Sequence, residues 1–149
     1  MTNKMKKRIL VVDDDIMFKE LMSDILQEAG YFVETAENGK DALQKLSNNC
    51  YNLIISETYL NVMDGMELYQ NITEIAPWFK KRFLFITDRI TFETICFLSE
   101  NDLRYMIKPV RVLHLLCLLD DILMERLSDT STKDAVTKPE DLKRSLIET

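Results

Sequence analysis

Glycine and proline are scarce in this chain, three of each in 149 residues, and histidine and tryptophan occur once each. So few backbone breakers exclude a collagen-like or low-complexity chain. Cysteine is also sparse. Cys50, Cys96 and Cys117 are widely spaced and odd in number, with no Cys-x-x-Cys and no Cys/His ligand spacing. They form neither a disulfide framework nor a zinc site, and are expected as small core residues in a reducing compartment. Positive charge is in deficit, 19 Lys and Arg against 25 Asp and Glu, for a net charge of -6. That balance excludes nucleic acid as a direct partner, because phosphate binding needs a basic footprint. The single basic run, Lys4, Lys6, Lys7 and Arg8, suits a solvated lead-in to a strand. A long apolar run is missing too. Val110 to Leu119 is interrupted by Arg111 and His114 and is far too short to span a bilayer. No signal peptide opens the chain. A soluble, cytoplasmic protein with no membrane partner is expected.

Apolar residues make up 46% of the chain, enough for one domain with a three-layer core. Strand-like and helix-like runs alternate five times, the pattern of a doubly wound parallel sheet. Ile9-Leu10-Val11-Val12 is the first strand. Ile16, Leu21, Ile25 and Leu26 then recur at helical spacing, and Gly30 suits a left-handed helix exit. Tyr31-Phe32-Val33 is a short second strand. Asn38 is an N-cap for a helix carrying Ala42, Leu43 and Leu46. Leu53-Ile54-Ile55 leads to Glu57. A third helix starts at Asp64-Gly65 and Pro77 stops it. Phe83-Leu84-Phe85-Ile86 precedes Thr87, Thr91 caps a short helix to Glu100, and Asn101 is expected to take its left-handed exit. Tyr105-Met106-Ile107 precedes Lys108, and the last helix is expected to start near Pro109 and run to about Leu127. Residues 1-127 form the domain. Residues 128-149 read as a polar tail or linker, with a short helix possible after Pro139. No internal repeat, helix-turn-helix pattern or catalytic output domain is present.

Chemistry gathers at the strand ends. If the strands are parallel, Asp13, Asp14, Glu57, Thr87 and Lys108 converge at one edge, where open α/β sheets bind ligands. Carboxylates with one lysine can hold Mg²⁺ and a phosphoryl group together. Simpler roles compete. Asp15 beside a helix N-terminus is explained by capping and the macrodipole alone, about 0.3–1 kcal/mol. Capping does not explain Asp13 and Asp14 at the end of a buried strand, where mutual repulsion calls for a cation. Lys108 either snorkels or pairs with those acids. His114 suits packing or the surface rather than catalysis. Phe92, Ile95, Cys96, Phe97 and Leu98 make one short helix apolar nearly all round, so it either sits deep or offers a docking surface.

Taken in order, Ile9 to Asp15, Asn52 to Glu57, Met63-Asp64-Gly65, Thr87 and Tyr105 to Pro109 resemble the receiver domain of bacterial two-component response regulators. The resemblance covers residues 8 to about 127. It implies a flavodoxin-like, three-layer fold with five parallel strands in the order 2-1-3-4-5. It also implies that Asp13 and Asp14 hold Mg²⁺, with Glu57 as a further metal ligand. An aspartate at the end of the third strand takes a phosphoryl group from a histidine kinase. The resemblance implies that Thr87 and Lys108 bind that group and that Tyr105 changes rotamer with the threonine. Partners dock on the face from Thr91 to Leu127, and a histidine kinase or phosphotransfer protein is among those implied.

The chain departs from this pattern at the reacting centre. Glu57 stands where the resemblance expects aspartate, and its carboxylate reaches further by about 1.5 Å, a misplacement that in-line transfer tolerates poorly. Asp88 follows Thr87 where a small residue is usual, and Asn61 replaces a loop proline. These changes favour a phosphorylation-independent signalling and binding module over an enzyme, with weak Mg²⁺ binding. The alternative is a phospho-accepting response regulator. A remoter one is an Mg²⁺-dependent haloacid-dehalogenase-type phosphohydrolase, disfavoured because Asp13-Asp14-Asp15 runs into Ile16-Met17-Phe18 and the chain lacks length for a cap domain. If Glu57 pairs with Lys108 and Thr87, an active-like arrangement with Tyr105 turned inward is expected.

Overall fold

The computed structural model describes residues 6–128. Five strands, β1 (Arg8–Val12), β2 (Phe32–Ala36), β3 (Leu53–Ser56), β4 (Phe83–Thr87) and β5 (Arg104–Ile107), alternate with α1 (Ile16–Glu28), α2 (Gly39–Leu46), α3 (Gly65–Ile75), α4 (Phe92–Glu100) and α5 (Val112–Ser128). A 3₁₀ turn, Pro77–Lys81, separates α3 from β4. All strands pair in parallel in the order β2-β1-β3-β4-β5. This is the doubly wound, flavodoxin-like sheet expected from the alternation.

The period-2 geometry of the strands divides the core into two layers. Leu10, Val12, Ile54, Phe83 and Phe85 face α2, α3 and α4. Ile9, Val11, Ile55, Leu84 and Ile86 face α1 and α5. Both faces are covered, which is why the strands read as continuous apolar runs. Tyr69, Phe83 and Phe97 pack edge to face at 5.0 and 5.6 Å between centroids, binding α3 and α4 to the sheet.

Local signals set most element ends. Asp15 Oδ1 accepts from the Met17 and Phe18 amides at 3.0 and 3.2 Å, and Asn38 caps α2. Asp64 and Glu67 form a reciprocal capping box on α3, a pairing that satisfies two otherwise orphaned amides. At the end of α1, Gly30 has φ 98°. Its amide donates to the Gln27 carbonyl and that of Tyr31 to Leu26, a Schellman exit.

Several expectations need correction. The left-handed residue after α4 is Asp102, φ 52°, rather than Asn101, φ -103°. Asn101 closes the last turn, and the Schellman bonds from Asp102 to Ser99 and from Leu103 to Leu98 need the positive φ one residue later. Pro109 follows a cis Lys108-Pro109 bond and lies before α5, which starts at Val112. β2 runs on to Ala36, because β1 offers it five residues of pairing partner. Cys50 and Cys96 are only half-buried and Cys117 is exposed, so none is a core residue. His114 is at the surface. No helix among the described residues is long and apolar enough to cross a membrane. Ser128, expected to open the tail, is the last residue of α5, and Lys4 and the remaining 129–149 of the expected 128–149 tail lie outside the described residues.

Candidate functional site

Register brings the site residues together. Val12 pairs with Ser56, and the Glu57 amide donates to the Val12 carbonyl at 3.0 Å. Asp13 and Glu57 therefore leave adjacent central strands side by side. Thr87 pairs with Ile107, and the Lys108 amide donates to the Thr87 carbonyl at 2.9 Å. Asp13, Glu57 and Thr87 are buried, while Asp14 is exposed.

Lys108 closes the centre. Its Nζ donates to Asp13 Oδ2 at 2.8 Å, stands 3.3 Å from Glu57 Oε2 and lies 4.0 Å over the Phe18 ring. Two buried carboxylates share one ammonium, and the pKa directions follow. Burial raises the Asp13 carboxyl, its hydrogen bond to Lys108 offsetting only part of that effect and the Glu57 charge adding to it. Burial alone would lower Lys108, but bonding to Asp13 and the field of both acids leave it raised. Lys108 is therefore a firm ammonium paired across the site, as one of its two sequence readings held.

Glu57 has partners for both oxygens. Oε1 accepts from the Thr58 amide at 2.8 Å and the Thr58 hydroxyl at 3.2 Å. Oε2 faces Lys108 and, at 3.4 Å, the Asp88 amide. The carboxylate reaches Thr87 through Thr58, whose hydroxyl is 3.0 Å from that of Thr87. Tyr105 remains 47% exposed, so pairing Glu57 with Lys108 does not carry the ring inward.

A cleft of about 270 Å³ opens here, lined by Asp13, Asp14, Asp15, Glu57, Asp88, Lys108, Tyr59 and Arg89. Its oxygen donors suit a hard cation by chemistry. Their placement does not make a cage: among the described residues no three acidic, histidine or cysteine side chains are grouped to hold one. The Lys108 ammonium stands against Asp13 and Glu57, where a cation shared by those acids would sit. Asp13, Asp14 and Glu57, the expected three-carboxylate set, all line this cleft.

Thr58, Tyr59, Arg89 and Phe18 were not singled out in the sequence. Thr58 could have been, since a hydroxyl next to Glu57 follows a strand end. The partners of Tyr59 lie more than 30 residues away, and nothing local announces them. The expected alternatives for α4 resolve as two faces. Thr94 and Leu98 are buried, whereas Phe92 is 82% and Ile95 50% exposed.

The doubly wound sheet thus carries Asp13, Glu57, Thr87 and Lys108 at the carboxyl ends of β1, β3, β4 and β5. The model of the response regulator receiver domain matches residues 9–120, and the chain belongs to that family, a module of two-component signalling. It is 41% identical over 69 residues to a transcriptional regulatory protein CpxR homolog of Haemophilus influenzae, covering 46% of this chain and 30% of that protein. To the response regulator receiver protein CpdR of Brucella abortus it is 35% identical over 78 residues, covering 52% and 65%. The chain thus spans less than two thirds of these curated relatives. The crystal structure of a CheY-like receiver domain protein from Methanospirillum hungatei JF-1 superposes with a TM-score of 0.77 at 30% identity, covering 84% of this chain and 99% of that one.

Proposed function

We propose that this receiver domain is atypical: Glu57 stands at the position of the phosphoryl-accepting aspartate, and the domain signals by docking on a protein partner without phosphate control. The observation that carries this reading is the engagement of both Glu57 oxygens, with Thr58 on one side and Lys108 and Asp88 on the other. A nucleophile must present a free oxygen in line with the incoming phosphorus. Here that oxygen is paired, and the cleft in front of it holds five acidic side chains against Lys108 and Arg89, which opposes a phosphate dianion. Incubation with acetyl phosphate and Mg²⁺ is expected to add no phosphoryl group. Intact mass spectrometry reads the result, and a hydroxylamine-labile +80 Da acyl phosphate on Glu57 would overturn it.

Asp13 and Asp14 bind Mg²⁺ only weakly in this reading, because the ion has to displace Lys108 from Asp13 and keeps most of its water. Lys108→Met removes that competitor and is expected to tighten binding. Trp78 is a poor reporter, as it lies before β4 at the opposite edge of the sheet, so the amides of Asp14 and Thr58 are followed by NMR instead. Equal affinity in wild type and Lys108→Met would refute the competition.

The partner meets the Thr91 to Leu127 face, where Phe92, Ile95, Tyr105 and Ile107 are exposed apolar residues. A histidine kinase or phosphotransfer protein is the partner class that this family suggests.

A further inference from the structure

The two residues after Glu57 each reach across to β4 or α4. Thr58 is fully buried, and its hydroxyl lies 3.0 Å from that of Thr87, the last residue of β4. A hydroxyl has one proton. If Thr58 donates to Glu57 Oε1, Thr87 donates either to Thr58 or to the Arg89 carbonyl at 3.1 Å. Tyr59 reaches the other end of the same connection. Its hydroxyl is 2.7 Å from Oγ1 of Thr91, the N-cap of α4, and 3.0 Å from that of buried Thr94. Thr91 and Thr94 are themselves 3.0 Å apart, so three hydroxyls close a triangle at the start of α4. The Arg89 guanidinium lies 4.9 Å over the Tyr59 ring, bracing it from the cleft side. The segment from Asp88 to Thr91 is therefore held at both ends by one dipeptide.

We infer that Thr58 and Tyr59 form a clamp that couples the Glu57 carboxylate to the N-terminus of α4, so that the placement of this helix is set from the Glu57 loop without movement of Tyr105. Thr58 and Tyr59 are positioning residues. Tyr105 is excluded from this route because it is half-exposed while the clamp is closed. The signalling consequence rests on α4 being part of the docking face. The clamp itself is tested on unphosphorylated protein with no partner, so its failure is separable from that of the phosphate-independent reading.

Tyr59→Phe keeps the ring under Arg89 and removes only the hydroxyl. Thr58→Val keeps shape and removes the link between Glu57 and Thr87. Amide hydrogen exchange in the first turn and a half of α4 is expected to accelerate about three- to tenfold in Tyr59→Phe, the effect of one or two net hydrogen bonds on local opening. The coupling has its own readout. Glu57→Gln is expected to shift the ¹⁵N–¹H resonances of Glu93 to Ile95 in the wild-type background, and to leave them within half of that shift or less in Tyr59→Phe/Thr58→Val. A purely structural contact would alter exchange without cutting this transmission. Unchanged α4 exchange in Tyr59→Phe, or an equal response to Glu57→Gln with and without the clamp, would overturn the inference.

Discussion

Lys108 is where burial, charge and topology meet. It pairs with both Asp13 and Glu57, the side chains of Lys108, Asp13 and Glu57 being 15%, 2% and 6% exposed. Removing one member of a buried ion cluster leaves unpaired charge in low dielectric, so Lys108→Met is expected to cost about 3 kcal/mol near neutral pH. The pH dependence follows from the direction of its shift. A lysine raised on folding binds more protons in the native than in the unfolded state as pH passes its ordinary 10.5. Its stabilisation is complete below that value and is lost as pH rises through the folded-state value. Urea titrations from about pH 8 to about pH 12 are expected to show wild type and Lys108→Met converging at the alkaline end. A constant gap would mean that Lys108 contributes packing rather than charge. The residue types were legible in the sequence, because Asp13, Glu57, Thr87 and Lys108 each end an apolar strand. Their pairing was not, since the 95-residue separation between Asp13 and Lys108 closes only through strand order.

The loop between β3 and α3 shows how an element end serves the site. Gly65 begins α3 with its amide donating to the Thr58 carbonyl at 2.9 Å. A Cβ there would lie 2.1 Å from the Glu57 carbonyl oxygen and 2.6 Å from Ser56 Oγ. Alanine would gain about 1 kcal/mol in helix propensity, but overpacking costs about 1–3 kcal/mol, and no rotamer relieves a clash with backbone. The clash wins. Gly65→Ala is expected to lose about 2 kcal/mol net in a urea melt and to displace the Glu57 loop; a gain in stability would show that the helix start can move freely. In the same loop Val62 adopts φ 66°, unusual for a β-branched residue. Caps were well announced by sequence: Asp15, Asn38, Asp64 and Thr91 each precede a helix and accept its first amides. Exits and the start of α5 were less so. Asn and Asp both tolerate the left-handed region, and which of Asn101 and Asp102 took it depended on where the last turn closed.

The molecule as a whole is one sheet with a packed layer on each side, and the two layers share every central strand. Leu119, on α5, is fully buried in one layer, while Trp78 packs against the other. If the layers unfold as one unit, Leu119→Ala is expected to lower stability by about 2–5 kcal/mol, with the same midpoint by Trp78 emission and by far-UV circular dichroism. Separate midpoints would mean that the layers unfold independently. Sequence by itself determined the doubly wound class, the strand order through the family resemblance, and the edge at which the acids gather. Apolar runs and alternation are local signals, and short parallel crossovers leave few topologies open. Tertiary structure decided that Lys108 sits between Asp13 and Glu57, that Thr58 stands between Glu57 and Thr87, and that Tyr59 holds the start of α4. Each of these is a contact between side chains on different elements, fixed by register and rotamer to within an ångström, and no local pattern in a chain encodes a distance of that kind.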